Sequence, residues 1–428
     1  MPLRCERTWR REMTQLPRKV LHVLNNATGG AALSTLGLIE AFRNQGIQSC
    51  AVCHDSGSPQ EREALRELTG GEVRFTTLSW WNKKIRVPLW KRPLSELTQL
   101  INTGWRRGST HIVTEFAQAH GVDLIHTNTI LTPEGAGAAR QLGLPHVWHV
   151  RELVGAGMPF PLALSDAALG RYLAANCSQL VANSQATAAL LRPWVPADLL
   201  KVVLNGIDLK RFHPRVGPAR PDRFVVGMLG NLTSHVKKHS VFIAAAAQVS
   251  RDLPIEWRIY GHDPSRGGTQ SGGAYVDALH AQIAKAGIAD RFVWPGFVDD
   301  PAQIMHQLDL LVHPADQESF GRIVVEAMAA GLPVVSVQGG GVAEIIRDDE
   351  TGFLARPDDS SQIATLIERL ARDPQLQSTL GEAGRQRATA VYSLDATVAG
   401  MLRVYAEAME RPLDKRGGDR QRPPLAAC

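Results

Sequence analysis

The chain has 428 residues, more than one hydrophobic core usually spans, so two domains are expected. Its 44% hydrophobic residues are typical of a globular protein, and no apolar run reaches the roughly 18 residues of a spanning helix. Residues 1–110 carry 17 Lys and Arg against 9 Asp and Glu, which predicts an anionic partner for this part of the chain. Without a recognition motif, nucleic acid is not expected.

The beginning of the chain predicts an α/β domain after an unstructured extension. Residues 1–18 are basic and lack the apolar segment of a secretory signal, so we expect a disordered extension on a cytoplasmic protein. Val20–Leu24 is typical of a buried strand, Asn25–Ala31 of a glycine-containing turn and Ala32–Arg43 of a helix. Gly30, in that turn, would let the backbone approach a sugar or phosphate closely.

The five cysteines are an odd and scattered set that does not predict a disulfide framework. Residues 50–54, CAVCH, match the spacing of a c-type haem attachment site. However, Ile47–Cys53 has the pattern of a strand, in which residues three apart point to opposite faces, and no export signal is present. We therefore expect two buried strand cysteines and no haem.

A basic segment rich in tryptophan occupies residues 79–107. Tryptophan beside Lys and Arg suits a membrane interface, whereas Pro88 and Pro93 prevent one long amphipathic helix. Two interpretations stay open. The segment is either an ordinary surface loop or a peripheral contact with the inner face of a membrane or with a lipid-linked acceptor.

The rest of the chain alternates strands and helices, which predicts α/β domains with parallel sheets. Asn205-Gly206 is a turn dipeptide, so we expect one doubly wound domain at 19–204 and a second at 205–393. A helix at 394–409 precedes a tail at 411–428 that is rich in Arg, Gly and Pro and is expected to be disordered. Further strands are predicted at Leu124–His126, Val147–Val150, Leu180–Ala182, Phe224–Leu229, Glu256–Gly261, Val293–Gly296, Asp309–His313 and Val334–Val337.

The most informative stretch is residues 318–333, ESFGRIVVEAMAAGLP, with Glu318 in a Ser/Gly loop and Glu326 in the following helix. Gly331 and Pro333 end that helix. Over eight residues a helix rises about 12 Å, so the two carboxylates can hold opposite ends of one elongated ligand. The helix N-terminus between them offers N–H groups and a positive dipole end to an anion. A nucleotide sugar, with hydroxyls at both ends and an anionic middle, fits this description.

This stretch resembles, nearly letter for letter, the donor-site signature of the retaining glycosyltransferases of family 4, which have the GT-B fold. The family pattern is Glu, seven residues and Glu, with Ser-Phe-Gly after the first Glu and Glu-Ala-Met-Ala-x-Gly-x-Pro-Val-Val at the end. The resemblance covers residues 20–408. It implies two doubly wound Rossmann-like domains facing across a cleft, with the helix at 394–409 returning to the N-terminal domain.

The resemblance assigns roles within the signature. It implies that Glu326 binds the ribose hydroxyls and that Glu318 binds sugar hydroxyls beside the anomeric carbon. Backbone N–H groups around Ser319, Phe320 and Gly321 would meet the phosphate and the sugar.

The family also has an Arg and a Lys that clamp the donor diphosphate. The Lys position corresponds to Lys238, because the predicted helix after it, Ser240–Val249, aligns with the family, and Lys237 is the alternative. The family lysine is followed by a glycine, whose position is His239 here. A solvated basic loop is the structural interpretation. The Arg position is Asn231 here, which puts half of the clamp in doubt. Arg322 and His235 are candidates to replace the missing charge.

In the N-terminal domain, His149 resembles the family histidine that reaches the transferred sugar, and His126 is a weaker candidate. A structural role is the alternative for both. The segment containing Gly30 resembles the family's Gly-Gly-Ala-Glu, but Ala32 replaces the Glu, so an acceptor role carried by that Glu is absent. The glycine run at 339–341 predicts close approach of the backbone to a ligand.

The sequence has no Asp-x-Asp, the motif that holds a divalent metal in the other large glycosyltransferase fold, and no zinc-ligand spacing. We therefore expect no metal and no cofactor. The predicted reaction transfers a hexose-type sugar, with UDP as the expected donor nucleotide, to a hydroxyl acceptor in bacterial surface polysaccharide or glycolipid synthesis. A nucleotide-sugar 2-epimerase of the same fold and an inactive nucleotide-sugar binder are the alternatives.

Overall fold

The chain forms two compact units. The first, here the N-terminal unit, contains the residues up to Gly206 and those from Leu394 onward, and the second, the C-terminal unit, is Ile207–Ser393. The division lies at the predicted Asn205-Gly206 turn. The computed structural model describes residues 16–27, 29–57, 59–79, 108–153, 164–215, 222–232, 235–263, 270–298 and 300–414.

The N-terminal unit is built on a parallel sheet whose seven described strands follow the order β3-β2-β1-β4-β5-β6-β7. The strand order reverses between β1 and β4, and ligands of doubly wound sheets bind beyond the carboxyl ends of the strands at such a switch point. The strands are β1 Lys19–Leu24, β2 Gln48–His54, β3 Val73–Thr76, β4 Leu124–Thr127, β5 His146–Val150, β6 Gln179–Ala182 and β7 Leu200–Val202. The helices are Gly29–Asn44, Pro59–Leu68, 108–119, Glu134–Leu142, Asp166–Ala175, Gln185–Leu191 and Leu394–Met409.

The C-terminal unit has a second parallel sheet, in which six described strands follow the order β10-β9-β8-β11-β12-β13. Its switch point lies between β8 and β11. The strands are β8 Phe224–Leu229, β9 Ile255–Tyr260, β10 Phe292–Gly296, β11 Leu310–His313, β12 Val334–Val337 and β13 Phe353–Ala355. The α-helices are His239–Ala246, Gln270–Ala286, Pro301–Met305, Arg322–Ala329, Val342–Ile345, Ser360–Arg372 and Pro374–Val391, and 3-10 turns occur at His235–Lys237 and Ala289–Arg291.

Both sheets have strands that are buried along nearly their whole length. In β8, five of the six residues, FVVGML, are buried, and all four of β12, VVSV, are buried. Parallel sheets carry helices on both faces, which explains why such strands are continuous apolar runs. The helix Leu394–Met409 contributes Tyr405 to a buried cluster with Phe42 and strand residues of the N-terminal unit.

Three strands are absent from the sequence-based prediction. β3 and β7 are edge strands whose residues are mostly half-buried, and β13 has only three residues, so none shows a clear apolar run. The helix predicted from Ala32 begins earlier, at Gly29, which therefore lies in the first helical turn with Gly30 instead of in the turn before it. The helix predicted at Ser240–Val249 spans His239–Ala246.

The described residues at both ends of the chain are held by the N-terminal unit. The Arg18 N–H donates to Asp123 Oδ2 at 2.8 Å, and the Arg411 guanidinium lies 2.9 Å from the Asp198 carboxylate. Arg18 and Arg411 belong to the two ranges for which disorder is predicted. Residues 1–15, 415–428 and the tryptophan-rich 80–107 lie outside the described residues.

Cys50 and Cys53 lie buried in β2, as predicted. Burial raises the pKa of each thiol to about 12. A thiol with such a pKa is an inert part of a core at neutral pH. Among the described residues, none of the helices has the combination of length and apolar character needed to cross a bilayer.

Candidate active site

The signature loop connects β11 to the helix Arg322–Ala329. β11 ends at His313, and the helix begins after Gly321, which is the N-cap with φ 96°. This left-handed backbone favours glycine. Because the cap has no side chain, it gives no side-chain hydrogen bond to the first turn. The positive end of the helix dipole therefore lies next to the loop that carries Glu318. No carboxylate or hydroxyl at Gly321 caps it.

The Glu318 carboxylate lies between two basic side chains. Lys237 Nζ contacts Glu318 Oε1, and His313 Nε2 lies 3.5 Å from the same oxygen. Burial by itself raises the pKa of Glu318, but the Lys237 charge and His313 outweigh it and hold this pKa well below the usual range. The carboxylate is therefore ionised at neutral pH and can accept hydrogen bonds from sugar hydroxyls.

The two neighbouring lysines have different partners. Lys237 reaches Glu318, whereas Lys238 Nζ lies 2.8 and 3.0 Å from the two carboxylate oxygens of Asp358 and 3.6 Å from Asp316. The hydrogen bond to Asp358 raises the pKa of Lys238. Lys238 thus lies between Asp358 and Asp316 of the signature loop. Lys237, the alternative in the sequence prediction, is the lysine that contacts Glu318.

Lys238 has an unusual backbone. It is the N-cap of the helix His239–Ala246 and has φ 58°, a left-handed conformation that is rare for residues with a side chain. Such conformations cost about 1–3 kcal/mol and cluster at functional sites. His239 occupies the position of the family glycine; its ring lies 3.2 Å from Gly230 O and 3.1 Å from the Tyr275 hydroxyl. Burial lowers the pKa of His239 to about 4, so this ring is uncharged at neutral pH and has a structural role.

The candidates for replacing the missing Arg have other contacts. Asn231 is exposed, and its Oδ1 accepts a hydrogen bond of 3.4 Å from the His262 N–H. His235 packs its ring edgewise on Tyr275, with centroids 4.5 Å apart. The Arg322 guanidinium binds Glu326. Among the described residues, Lys237 and Lys238 contact carboxylates of the signature loop, those of Glu318 and Asp316 respectively.

Glu326 is a buried residue of the helix Arg322–Ala329. Its Oε1 lies 2.7 Å from Arg322 Nε, one helical turn earlier. Burial raises the pKa of Glu326, and the Arg322 charge opposes this effect. The charge of Arg211 lowers the pKa of Glu326 and that of Asp300 raises it. Arg211 and Asp300 form a salt bridge with each other, so a second pair of opposite charges lies near Glu326. Buried polar groups of this kind recognise hydroxyls with high selectivity.

The remaining signature residues have structural contacts. Phe320 is buried against Tyr392, with ring centroids 5.8 Å apart. Its side chain therefore belongs to the core. The glycine run at 339–341 packs against this loop: the Gly341 N–H donates to Glu318 O at 2.8 Å, and a Cβ at Gly341 would lie 2.6 Å from Ser319 O. The close approach predicted for these glycines is thus made to the signature loop.

Gly340→Ala is expected to displace the loop that carries Glu318. A Cβ at Gly340 would overlap the Glu318 carbonyl oxygen, and the residue has φ 48°. We expect a loss of about 2 kcal/mol of unfolding free energy and a lower turnover. Urea unfolding and initial rates would measure both. Gly108→Ala is the control. Gly108 is helical, and a Cβ added there would have no neighbouring atom within 4 Å, so this variant should keep wild-type turnover.

In the N-terminal unit, His149 lies near the end of β5 and is fully buried. Burial first and the Arg151 charge second hold its pKa well below the usual range, so the ring is neutral. His126, in β4, stacks on it and hydrogen-bonds Tyr405. Gly30 is exposed in the first turn of its helix, where its carbonyl accepts a 2.9 Å hydrogen bond from Ser34 Oγ.

Sequence reasoning missed three residues of these clusters. His313 is the last residue of a predicted strand and precedes a proline, and this position at the carboxyl end of a strand was a usable signal. His239 was noted only as a departure from the family glycine. Tyr405 lies 279 residues from His126, its hydrogen-bond partner, and no local pattern announces that contact.

Comparisons with known proteins identify the class. The family model "Glycosyl transferases group 1" matches residues 210–387, and the model "Glycosyltransferase Family 4" matches residues 28–211. A D-inositol 3-phosphate glycosyltransferase of Salinispora arenicola (strain CNS-205) is 32% identical over 314 residues, covering 67% of this chain and 69% of that protein. A lipopolysaccharide core biosynthesis mannosyltransferase of Rhizobium leguminosarum bv. viciae is 29% identical over 284 residues, 60% of this chain and 77% of the relative.

Solved structures agree. The crystal structure of Anabaena Alr3699/HepE in complex with UDP-glucose has a TM-score of 0.70 and 25% identity, and covers 90% of this chain and 99% of that one. The sucrose-phosphate synthase of Thermosynechococcus elongatus shares the fold with a TM-score of 0.70 at 21% identity, over 92% of this chain and all of that one. The fold is therefore GT-B, as predicted. The chain belongs to the family 4 glycosyltransferases.

Proposed function

We propose that this glycosyltransferase transfers a hexose from a UDP-sugar to a hydroxyl acceptor, with retention of the anomeric configuration. The observation that carries the proposal is the ionised Glu318 beside the N-terminus of the helix Arg322–Ala329, with the buried Glu326 inside that helix. The UDP-glucose complex of the Anabaena protein supports the choice of nucleotide. The inositol phosphate and lipopolysaccharide named for two relatives support an acceptor in bacterial surface polysaccharide or glycolipid synthesis.

Each end of the donor has a proposed binding group. Glu326 accepts hydrogen bonds from the ribose hydroxyls, and its salt bridge with Arg322 fixes its orientation. Arg322 thereby belongs to the donor site as well. The backbone N–H groups around Ser319, Phe320 and Gly321 bind phosphate and sugar at the positive end of the helix. Glu318 accepts hydrogen bonds from the sugar hydroxyls.

The leaving group is the nucleoside diphosphate, which gains negative charge as the bond from the anomeric carbon to the phosphate oxygen breaks. Lys238 is the proposed cation that stabilises this charge, with Lys237 and the helix N-terminus beside it. Glu318 has a pKa well below its usual range and is therefore a weak base. We propose that the departing phosphate oxygen takes the proton of the acceptor hydroxyl while the new bond forms on the same face.

Two further parts complete the proposal. His149, as a neutral imidazole, is the proposed sugar-binding histidine of the N-terminal unit. The reaction is proposed to need no divalent metal, because lysines and helix N–H groups take the role that an Asp-x-Asp-bound cation has elsewhere. Turnover should then persist in excess chelator, and a rate that returns only with added Mg²⁺ or Mn²⁺ would contradict this part.

The donor nucleotide is tested by thermal unfolding with UDP, GDP and ADP, each with and without its sugar. A ligand at about 100 times its dissociation constant adds about 2.7 kcal/mol of stability. We expect a shift with UDP and its sugars alone. Product analysis by NMR then separates transfer with retention from 2-epimerisation. Binding without transfer to any acceptor would favour an inactive binder, the alternative that Asn231 suggests.

Glu326→Gln is expected to weaken donor binding more than turnover. Hydrogen bonds to a charged group contribute about 1.5–3 kcal/mol, so the dissociation constant for UDP should rise about 10–100-fold. Titration calorimetry measures the affinity, and initial rates at saturating donor measure kcat. Glu382→Gln, an exposed helical glutamate outside the site, is the matched control and should leave both values unchanged. An unchanged UDP affinity in Glu326→Gln would remove the ribose role.

A further inference from the structure

Three buried histidines form a row across the N-terminal sheet. His22 in β1, His126 in β4 and His149 in β5 are each fully buried. The ring centroids of His22 and His126 are 5.3 Å apart, and those of His126 and His149 are 5.5 Å apart. The last two rings are nearly parallel, at 6°. The His126 and His149 rings are therefore stacked face to face, and His149 is the last residue of the row.

Two members of this row have hydrogen-bond partners. The His22 ring lies 3.3 Å from Ser49 Oγ and 3.4 Å from Asn128 Nδ2. His126 Nδ1 lies 2.7 Å from the Tyr405 hydroxyl. Neither ring nitrogen of His149 has a hydrogen-bond partner within the described part of the chain. The orientation of the His149 ring is thus set by its stacking on His126 and not by a hydrogen bond of its own.

Tyr405 reaches this row from the helix Leu394–Met409. It is fully buried, with its ring 5.2 Å from Phe42 and edge-on to His126 at 5.7 Å. Burial raises the pKa of the Tyr405 hydroxyl and lowers that of the His126 ring. Both groups are therefore neutral, and they form one hydrogen bond whichever of them donates. That bond fixes the rotation of the His126 ring about its χ2 axis.

We infer that Tyr405 is a positioning residue for His149, acting through the His126 ring. This inference rests on the proposed role of His149 in binding the transferred sugar. Without the hydroxyl, His126 can rotate, and the parallel face that holds His149 is lost. A misaligned sugar ligand lowers the rate of transfer, because catalysis needs the reacting groups in a narrow range of geometry. Binding of UDP itself, which we assign to residues of the C-terminal unit, should not change.

The test is Tyr405→Phe in the full chain, which removes only the hydroxyl. We expect kcat to fall about tenfold, the value of one buried hydrogen bond, with the affinity for UDP unchanged. Phe42→Leu is the matched control: it removes packing around Tyr405 but leaves the hydrogen bond, so it should lower stability while kcat stays at the wild-type value. Equal losses of kcat in the two variants would mean a purely structural role.

The double variant His126→Phe with Tyr405→Phe keeps a flat ring beside His149 and removes both polar partners together. Removing both partners leaves no unsatisfied buried group, so we expect kcat to recover most of the loss. A double variant no better than Tyr405→Phe would overturn the inference, as would wild-type kcat in the single variant.

A readout without turnover separates this inference from the proposed function. In histidine-ring ¹⁵N NMR spectra, the His149 signal of Tyr405→Phe should shift or broaden, whereas that of Phe42→Leu should not. An unchanged His149 signal in Tyr405→Phe overturns the inference, whatever the enzyme does. If the signal changes but the wild type transfers no sugar, the positioning by Tyr405 stands and the proposed function fails.

Discussion

Lowering the pH from 7.5 to 5.5 is expected to remove about 5 kcal/mol from the unfolding free energy of the N-terminal unit. Burial lowers the pKa of His22 to about 3 and that of His146 to about 4, and it holds those of His126 and His149 well below the usual range. In the unfolded chain a histidine titrates near pH 6.5. The unfolded state therefore binds more protons, and stability falls as the pH drops below about 7.

Each of these four histidines should contribute slightly more than about 1 kcal/mol to the loss over this interval. Glu152 acts in the opposite direction, because burial raises its pKa and its protonation in the folded state offsets part of the loss. The total is large compared with the roughly 5–15 kcal/mol that stabilises a typical domain. The N-terminal unit should thus lose a large part of its stability in mild acid.

Hydrogen exchange of the full chain, read by mass spectrometry at both pH values, measures this loss in each unit separately. After correction for intrinsic exchange rates, protection of β1, β4 and β5 should fall about 10³–10⁴-fold. In the C-terminal unit, burial lowers the pKa of His239 to about 4, so a smaller loss of about 1 kcal/mol is expected there. Equal protection of β1 at both pH values would contradict the prediction. His22→Gln should reduce the pH dependence by one proton.

Lys238→Met is expected to lower kcat about 10²–10³-fold, the loss typical of a removed group that stabilises developing negative charge. Methionine keeps the length of the side chain and meets the same left-handed backbone at φ 58°, so the variant removes mainly the charge. The UDP affinity should change less than kcat, because the charge on the diphosphate grows in the transition state. Initial rates at saturating donor test this.

Lys237→Met is the comparison that decides between the neighbouring lysines. Burial would then act on Glu318 without the Lys237 charge, and the pKa of Glu318 should rise. We expect the turnover of this variant relative to the wild type to fall as the pH is lowered and to recover as the pH rises and Glu318 ionises. If Lys237→Met instead loses kcat equally at every pH while Lys238→Met stays active, the leaving-group role belongs to Lys237.

The sequence was sufficient where the chemistry is local. β8 and β12 have the predicted bounds, because each is a short, largely apolar run bordered by Gly or Pro, the pattern of a buried strand. The two-unit α/β architecture follows from such runs. By contrast, β3 and β7 are edge strands of mostly half-buried residues, and their mixed sequences resemble loops.

The site shows the same limit. The spacing of Glu318 and Glu326 is readable because it lies within one loop and one helix. The contact between Lys237 and Glu318 depends on the 3-10 turn His235–Lys237 and on the backbone of Lys238, neither of which a residue pattern announces. The hydrogen bond between His126 and Tyr405 joins residues far apart in the chain, and a single sequence holds no signal for it.

The return of the helix Leu394–Met409 to the N-terminal unit has a consequence for biosynthesis. The C-terminal unit is one continuous segment and has all its strands once Ser393 has left the ribosome. The N-terminal unit is made first but lacks its last helix until translation is nearly complete. Until then Phe42 and the three-histidine row have no Tyr405 to cover them. A chain that terminates early, before Leu394, therefore presents an open apolar face to chaperones and proteases, even though its C-terminal unit is complete.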